Sequence, residues 1–104
     1  MELRGKRAAV LVEQMYQEME VWYPVYRLRE AGCKVTVVGP EAGREYPSKL
    51  GYPAKSDRAA RDVSAKDFDV LVIPGGFAPD FLRRDEGVLR LVSTMAEQIG
   101  RAHV

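Results

Sequence analysis

The sequence is poor in the residues that build disulfide-rich domains and metal centres. Its 104 residues include one cysteine, one histidine and one tryptophan. The single thiol, Cys33, excludes an intrachain disulfide and a cysteine-rich zinc site. We therefore expect a cytoplasmic protein without a metal site.

Long hydrophobic runs and an excess of one charge are also missing. The first apolar run, residues 8–12, ends at Glu13 and is too short for a signal-peptide core or a membrane span. Sixteen Lys and Arg residues against fifteen Asp and Glu residues give a net charge of +1, with the two signs interleaved. This balance favours neither nucleic acid nor a membrane as a partner. Since the sequence has no P-loop and no dinucleotide-binding glycine motif, we expect no cofactor.

Short apolar segments alternate with helical patterns along the chain. Residues 7–13, 34–38 and 69–73 are rich in β-branched side chains, as is typical of parallel strands buried on both faces. Apolar residues at helical spacing predict helices over 18–31 and 86–99, with Gly32 and Asp85 as capping residues. This alternation predicts one α/β domain over residues 1–104, a doubly wound parallel sheet with helices on both faces.

Three local patterns depart from this regular alternation. Prolines, glycine and two tyrosines within residues 41–57 predict one or two short edge strands in a small antiparallel flap. Ser64 and Asp67 have the spacing of a capping box over a single turn before the third strand. Pro24 lies deep in the first predicted helix, so we expect a kink or a late helix start.

The loop over residues 74–80 follows the third strand, at the edge where open α/β sheets bind ligands. Its adjacent glycines, Gly75 and Gly76, allow backbone amides to approach an anion and to form an oxyanion hole. The same residues also suit an ordinary turn, with Pro79 and Asp80 starting a short helix. Spacing alone favours the turn.

Carboxylates follow the first predicted strand. Glu18 and Glu20 are two positions apart, about 200° around a helix, so only one of them can face the cleft. The helix dipole accounts for Glu18. Glu20 is the functional candidate, as a desolvated carboxyl group that donates to a thiolate or an oxyanion. Cys33 lies at the opposite, amino end of the second strand, where we expect a small core or boundary residue rather than a nucleophile.

Several short motifs succeed one another along the chain: EME at 18–20, YP at 23–24, RLREAG at 27–32, VTVVG at 35–39, GYP at 51–53, DFD at 67–69, VIPGG at 72–76 and APD at 78–80. Together they resemble the N-terminal half of the PfpI-type intracellular peptidases. These belong to the DJ-1/PfpI superfamily, which also includes the parkinsonism-linked deglycase. The resemblance covers residues 7–104 and implies a flavodoxin-like fold.

The resemblance also implies roles for particular residues. Members of the family carry a nucleophilic Cys on a sharp strand-to-helix elbow, with a His beside it in the PfpI branch. Glu20 corresponds to the helix-start Glu that hydrogen-bonds the thiol, and Asp80 to the acidic member of a Cys-His-acid triad across a subunit interface. Gly76, beside Gly75, corresponds to the amide that faces the reacting oxygen. Gln17 departs from the pattern, because the PfpI branch usually has a carboxylate there.

The nucleophile itself is expected beyond Val104, because residues 102–104 resemble the start of the strand that leads to the elbow. We therefore expect a partial domain, truncated before the elbow strand and inactive by itself. In the family's sheet order that strand pairs beside the third strand, whose apolar edge would be exposed here. Such an edge aggregates or recruits a partner. The expected partner is a second copy, in a dimer or higher homo-oligomer, or a complementing C-terminal segment.

The sequence therefore supports two alternative functions. The first is the N-terminal half of a stress-associated cysteine hydrolase, acting on peptides or on glyoxal-type adducts. The second is a non-catalytic α/β protein that self-associates or acts as a chaperone. A domain that binds a phosphorylated ligand at Gly75 and Gly76 is disfavoured, because no glycine-, serine- or threonine-rich helix start follows the first strand.

Overall fold

A computed structural model describes residues 4–13, 18–48, 50–73 and 84–99. The elements of this part of the chain are β1 (Arg7–Leu11), α1 (Glu18–Glu30), β2 (Lys34–Gly39), β3 (Glu45–Pro47), β4 (Pro53–Lys55), β5 (Arg58–Ala59), β6 (Val70–Val72) and α2 (Glu86–Ile99). Two short 3-10 turns, Ala60–Asp62 and Ala65–Asp67, separate β5 from β6. Each of the three predicted parallel strands and both predicted helices is present, within two residues of the predicted bounds at each end.

Four parallel strands form the main sheet, in the order β5-β2-β1-β6. The central strand is β1, in which Arg7 pairs with Lys34 on one side and Ala8 with Val70 on the other. Its residues 8–11 are completely buried. This explains the nearly continuous apolar sequence, because a strand covered on both faces has no polar alternation.

The two helices cover opposite faces of the sheet, as predicted. Residues of α1 pack against one face in a cluster that includes Val21 and Val25. Residues of α2 pack against the other face in a second cluster that includes Leu91 and Met95. The doubly wound α/β architecture is therefore confirmed.

The helix α1 starts at Glu18 and ends at a glycine cap. Gly32, at φ 94°, follows its last turn, and the Cys33 amide donates to the Leu28 carbonyl at 2.9 Å. These contacts are those of a glycine-capped helix end. The late start predicted from Pro24 is wrong, because the helix begins at Glu18. Buried Val21 and Val25, on either side of the proline, anchor this turn to the sheet. The kink stays a prediction.

Two further local predictions are confirmed by side-chain hydrogen bonds. Ser64 and Asp67 form a capping box, in which the Ser64 amide donates to the Asp67 carboxylate at 2.9 Å. Asp85 caps α2 by accepting a hydrogen bond from the Val88 amide at 2.9 Å. Each side chain satisfies a backbone donor that the helical turn leaves unpaired.

The predicted flap is a hairpin of β3 and β4, which pair antiparallel. Its one buried aromatic ring, Tyr46, packs close to the end of β2: a Cβ on Gly39 would lie 2.7 Å from the ring. The sheet then continues through Asp57, whose amide donates to the Val37 carbonyl at 2.7 Å while its carboxylate accepts from the Val37 amide at 2.8 Å. The hairpin is thus held against the carboxyl end of β2.

One side of β6 pairs with β1, and the described residues place no strand on its other side. Leu71 and Val72 are nevertheless buried between the two helical layers. The described helices include none that is long and apolar enough to cross a membrane.

The contact between Gly39 and Tyr46 leads to the first prediction. Gly39→Ala should lower the free energy of unfolding by about 1–3 kcal/mol, because the added methyl group overpacks against a buried ring. Denaturant unfolding measures this loss. In a Tyr46→Leu background the same substitution should cost less, since the ring edge is gone. Equal costs in the two backgrounds would contradict the contact.

Candidate functional site

The carboxyl ends of β1 and β6 lie side by side. Val10 pairs with Val72, so Leu11 and Ile73, the next residues on the two strands, lie about one strand spacing apart, roughly 5 Å. The two loops that the sequence singled out therefore start from neighbouring strands at the same edge. The helix α1, which carries Glu18 and Glu20 in its first turn, begins after the first of these loops.

Glu18 joins the start of α1 to the hairpin. Its carboxylate accepts a hydrogen bond from the buried Ser48 hydroxyl and another from the Leu50 amide at 3.2 Å. The Ser48 oxygen in turn accepts from the Tyr52 amide at 2.9 Å. The turn between β3 and β4 is thus fixed to the first turn of the helix.

This arrangement gives Glu18 a role beyond the helix dipole. The sequence indicated a purely electrostatic preference for a carboxylate at this position, whereas the structure shows a specific tertiary contact. Ser48 was not singled out at all. The partners lie thirty residues apart, so no local spacing marks them. The one available signal was a small hydroxyl residue directly after Pro47, at a turn.

Glu20 is exposed on the first turn of α1. Its predicted role toward a thiol stays a prediction, as do the oxyanion roles of Gly75 and Gly76 and the triad role of Asp80. The last three residues lie outside the described part of the chain, as do residues 102–104 and their expected strand. The described residues place no group of three or more His, Cys, Asp or Glu side chains where it could hold a metal ion.

Cys33 lies at the other end of the sheet. It directly precedes Lys34, which pairs with Arg7 at the amino ends of β2 and β1. The five residues of β1 place this edge about 16 Å from the carboxyl edge of the sheet. The side chain is 5% exposed, and burial, reinforced by the nearby Asp69 carboxylate, raises the pKa of the thiol. Cys33 is a core residue, as predicted, in a setting that disfavours the reactive thiolate.

The other groups with a shifted pKa lie at contacts between distant parts of the chain or at the end of β2. Arg7 donates to Asp69 from its guanidinium at 3.3 Å and from its backbone amide at 2.9 Å, and both hydrogen bonds lower the pKa of this carboxyl. The Arg61 guanidinium donates two hydrogen bonds to the Glu41 carboxylate, at 2.8 and 3.1 Å, and lowers the pKa of Glu41. Burial raises the pKa of Tyr46, whose hydroxyl accepts from the Glu41 amide at 2.9 Å.

Three curated proteins with similar sequences have names that describe a function. The protein "Putative cysteine protease YraA" of Bacillus subtilis is 47% identical over 82 residues, which are 79% of this chain and 48% of the relative. "General stress protein 18" of the same organism is 39% identical over 83 residues, again 79% and 48%. "Deglycase TK1284" of Thermococcus kodakarensis is 32% identical over 91 residues, 88% of this chain and 54% of the relative. The chain thus spans about half the length of the curated relatives it matches.

A solved structure of a related protein has a similar fold. A two-domain protein of Anabaena variabilis, containing DJ-1/ThiJ/PfpI-like and ferritin-like domains, superposes with a TM-score of 0.86 at 36% identity. The superposition covers 89% of this chain and 27% of that one. The DJ-1/PfpI family model matches residues 6–102, nearly the whole sequence. The chain therefore belongs to the DJ-1/PfpI family.

Proposed function

We propose that these 104 residues are the N-terminal half of a stress-associated cysteine hydrolase, which acts on peptides or on glyoxal-type adducts. The observation that carries the proposal is the family match over residues 6–102 together with the position of the only cysteine. The names of three relatives, a protease, a stress protein and a deglycase, support the class of reaction.

The nucleophile in this proposal comes from outside the chain. Cys33 is buried, its thiol pKa is raised, and it lies at the opposite edge from the helix start that carries Glu20. A reactive cysteine needs a lowered pKa and access to the substrate. Cys33 has neither property, so the 104 residues alone are expected to be inactive.

The residues of this chain would then support a thiolate supplied by a second segment. That thiolate adds to the substrate carbonyl carbon, and the developing oxyanion is held by the amides of Gly75 and Gly76. Asp80 orients a base that takes the proton from the thiol and then gives it to the leaving group, Glu20 hydrogen-bonds the thiol, and water hydrolyses the resulting thioester. Glu18 and Ser48 act as positioning residues, since their contact fixes the helix turn from which Glu20 projects.

The second segment has a place to bind in this proposal. The relatives are about twice as long as the matched region, and β6 has a strand on only one side among the described residues. A further strand beside β6 would extend the parallel sheet and bring its own carboxyl end to the edge where the two loops begin.

Restoring the second half tests the proposal directly. The chain is extended after Val104 with the half of YraA that lies beyond the match, and hydrolysis of a fluorogenic peptide and of a glyoxal-treated cysteine derivative is measured. We expect activity in the extended protein and none in the 104-residue chain. Replacing one cysteine of the added half by Ser should abolish the activity of the extended protein, whereas the Cys33→Ser variant should retain this activity. Turnover by the 104 residues alone, or its loss in Cys33→Ser, would refute the proposal.

The thiol of Cys33 provides a second prediction. Its alkylation by iodoacetamide near neutral pH should be at least about tenfold slower in the folded chain than in denaturant, because burial and a raised pKa suppress the thiolate. Mass spectrometry follows the reaction without interference, since no other thiol is present. Equal rates in the two states would show an accessible cysteine and remove the argument against Cys33.

The contact between Glu18 and Ser48 provides a third prediction. Ser48→Ala should cost about 1 kcal/mol of stability, because it removes a hydroxyl that serves as both donor and acceptor. Hydrogen exchange of the Leu50 and Tyr52 amides should accelerate in the variant. Ser64→Ala, which removes a capping hydroxyl far from the hairpin, is the matched control and should leave these two amides protected. Unchanged exchange in Ser48→Ala would contradict the positioning role.

A further inference from the structure

The face of the sheet that packs against α2 carries charged residues near the amino ends of β1 and β2. An open cavity of about 460 Å³ lies over them. On the sheet side it is lined by Arg7, Lys34, Thr36 and Arg58. On the other side it is lined by three residues that precede β6, namely Val63, Asp67 and Phe68. We call this cavity the amino-end groove. Its volume lies within the range of about 300–1,000 Å³ that is typical of pockets for small molecules.

The strand register places the polar residues of the amino-end groove on one face of the sheet. Arg7 pairs with Lys34 on one side of β2, and Arg58 pairs with Val38 on the other side. Lys34, Thr36 and Val38 alternate along β2. Alternate residues of one strand and directly paired residues of neighbouring strands share a face. Three cationic side chains are therefore grouped around the Thr36 hydroxyl.

This grouping of cations is unfavourable for the sheet itself. Arg7 and Lys34 are paired at a strand spacing of roughly 5 Å, and like charges directly opposite each other destabilise paired strands. Asp69 offsets the charge of Arg7, because its carboxylate accepts a hydrogen bond from the guanidinium at 3.3 Å. Lys34 forms no ion pair with any residue in the described part of the chain. An anion between Lys34 and Arg58 would remove the remaining repulsion.

The one carboxylate that lines the amino-end groove has a different partner. Asp67 accepts a hydrogen bond from the Ser64 amide at 2.9 Å in the capping box, and it forms no ion pair within residues 4–13, 18–48, 50–73 and 84–99. The Arg58 guanidinium donates to the Asp62 carbonyl at 3.2 Å. This bond to a neutral acceptor holds the side chain beside the groove and leaves its charge uncompensated. The half-buried Thr36 hydroxyl adds a hydrogen-bond donor.

We propose that the amino-end groove binds an organic phosphate. The phosphate group lies between Lys34 and Arg58, where the Thr36 hydroxyl donates a further hydrogen bond. A guanidinium matches the geometry of phosphate oxygens, and an ammonium adds a point charge. A phosphate monoester carries a charge of about −1.5 to −2 near neutral pH and so balances two cations. The apolar part of the ligand lies against Val63 and Phe68.

The amino-end groove is separate from the edge that carries the proposed reactive loops. Arg7 and Lys34 are the first residues of β1 and β2, whereas the loops begin at the carboxyl ends of the strands. The strands β2 and β5 also lie on the opposite side of β1 from β6, where the proposed second segment would add a strand. The inference therefore does not rest on the proposed hydrolase function, because its readout is ligand binding and not turnover.

Titration of the 104-residue chain with phenyl phosphate, followed by NMR, tests the ligand class. The amides of Lys34, Thr36 and Arg58 should shift. Inorganic phosphate should bind at least about fivefold more weakly, because it has no apolar part to bury. Benzoate, which has the ring but only one charge, should also bind at least about fivefold more weakly. Unshifted amides at these three residues, or an affinity for either other ligand that equals or exceeds that for phenyl phosphate, would overturn the proposal.

Substitutions in the groove test the position of the phosphate group. Lys34→Gln and Arg58→Gln should each weaken phenyl phosphate binding at least about fivefold, because each removes a charge-assisted hydrogen bond. Thr36→Val keeps the side-chain shape and should weaken binding about threefold. Lys55→Gln removes the same charge from an exposed position on β4 and is the matched control, with unchanged affinity. Circular dichroism should match the wild type, since Lys34 and Arg58 are exposed. Wild-type affinity in Lys34→Gln, or an equal loss in Lys55→Gln, would overturn the proposed site.

Discussion

The pairing of β1 with strands on both sides is the interaction on which the rest of the molecule depends. Residues 8–12 are completely inaccessible to solvent, because neighbouring strands cover the edges of β1 and helices cover its faces. Both apolar clusters include residues of this segment: Ala9 and Leu11 belong to one, and Val10 and Val12 belong to the other. Alternate side chains of one short segment thereby join two helical layers into a single core. The same pairing sets where Leu11 and Ile73 leave the sheet.

Sequence reasoning succeeded where the physical signal is local. Buried parallel strands have a recognisable composition, and caps such as Asp85 and Gly32 have fixed positions relative to the helix. The capping box of Ser64 and the antiparallel flap were also readable, because turn chemistry is determined by neighbouring residues. The late helix start was wrong because propensity was weighed without tertiary packing: Val21 and Val25 hold the first turns of α1 against the sheet despite Pro24.

The contacts that sequence reasoning missed join residues far apart in the chain. Ser48 meets Glu18, and Asp57 meets Val37 through hydrogen bonds in both directions. No periodicity connects such partners, and they become neighbours only after β2 and the hairpin have folded onto the sheet. The residues themselves suggested a reactive role for Glu20, Gly75 and Gly76, whereas the triad role of Asp80 came from the family resemblance. Their residue types alone suited helix starts and turns as well as a reactive centre.

The connection of β6 to β1 has a consequence for the order in which the chain assembles. Arg7 and Asp69 are separated by 62 positions, whereas β1 meets β2 across a single intervening helix. Closing the longer loop costs more chain entropy and is slower than forming the local β1-α1-β2 unit. During synthesis one edge of β1 thus stays unpaired until residues near 70 have emerged, and over that interval the nascent chain depends on protection from aggregation.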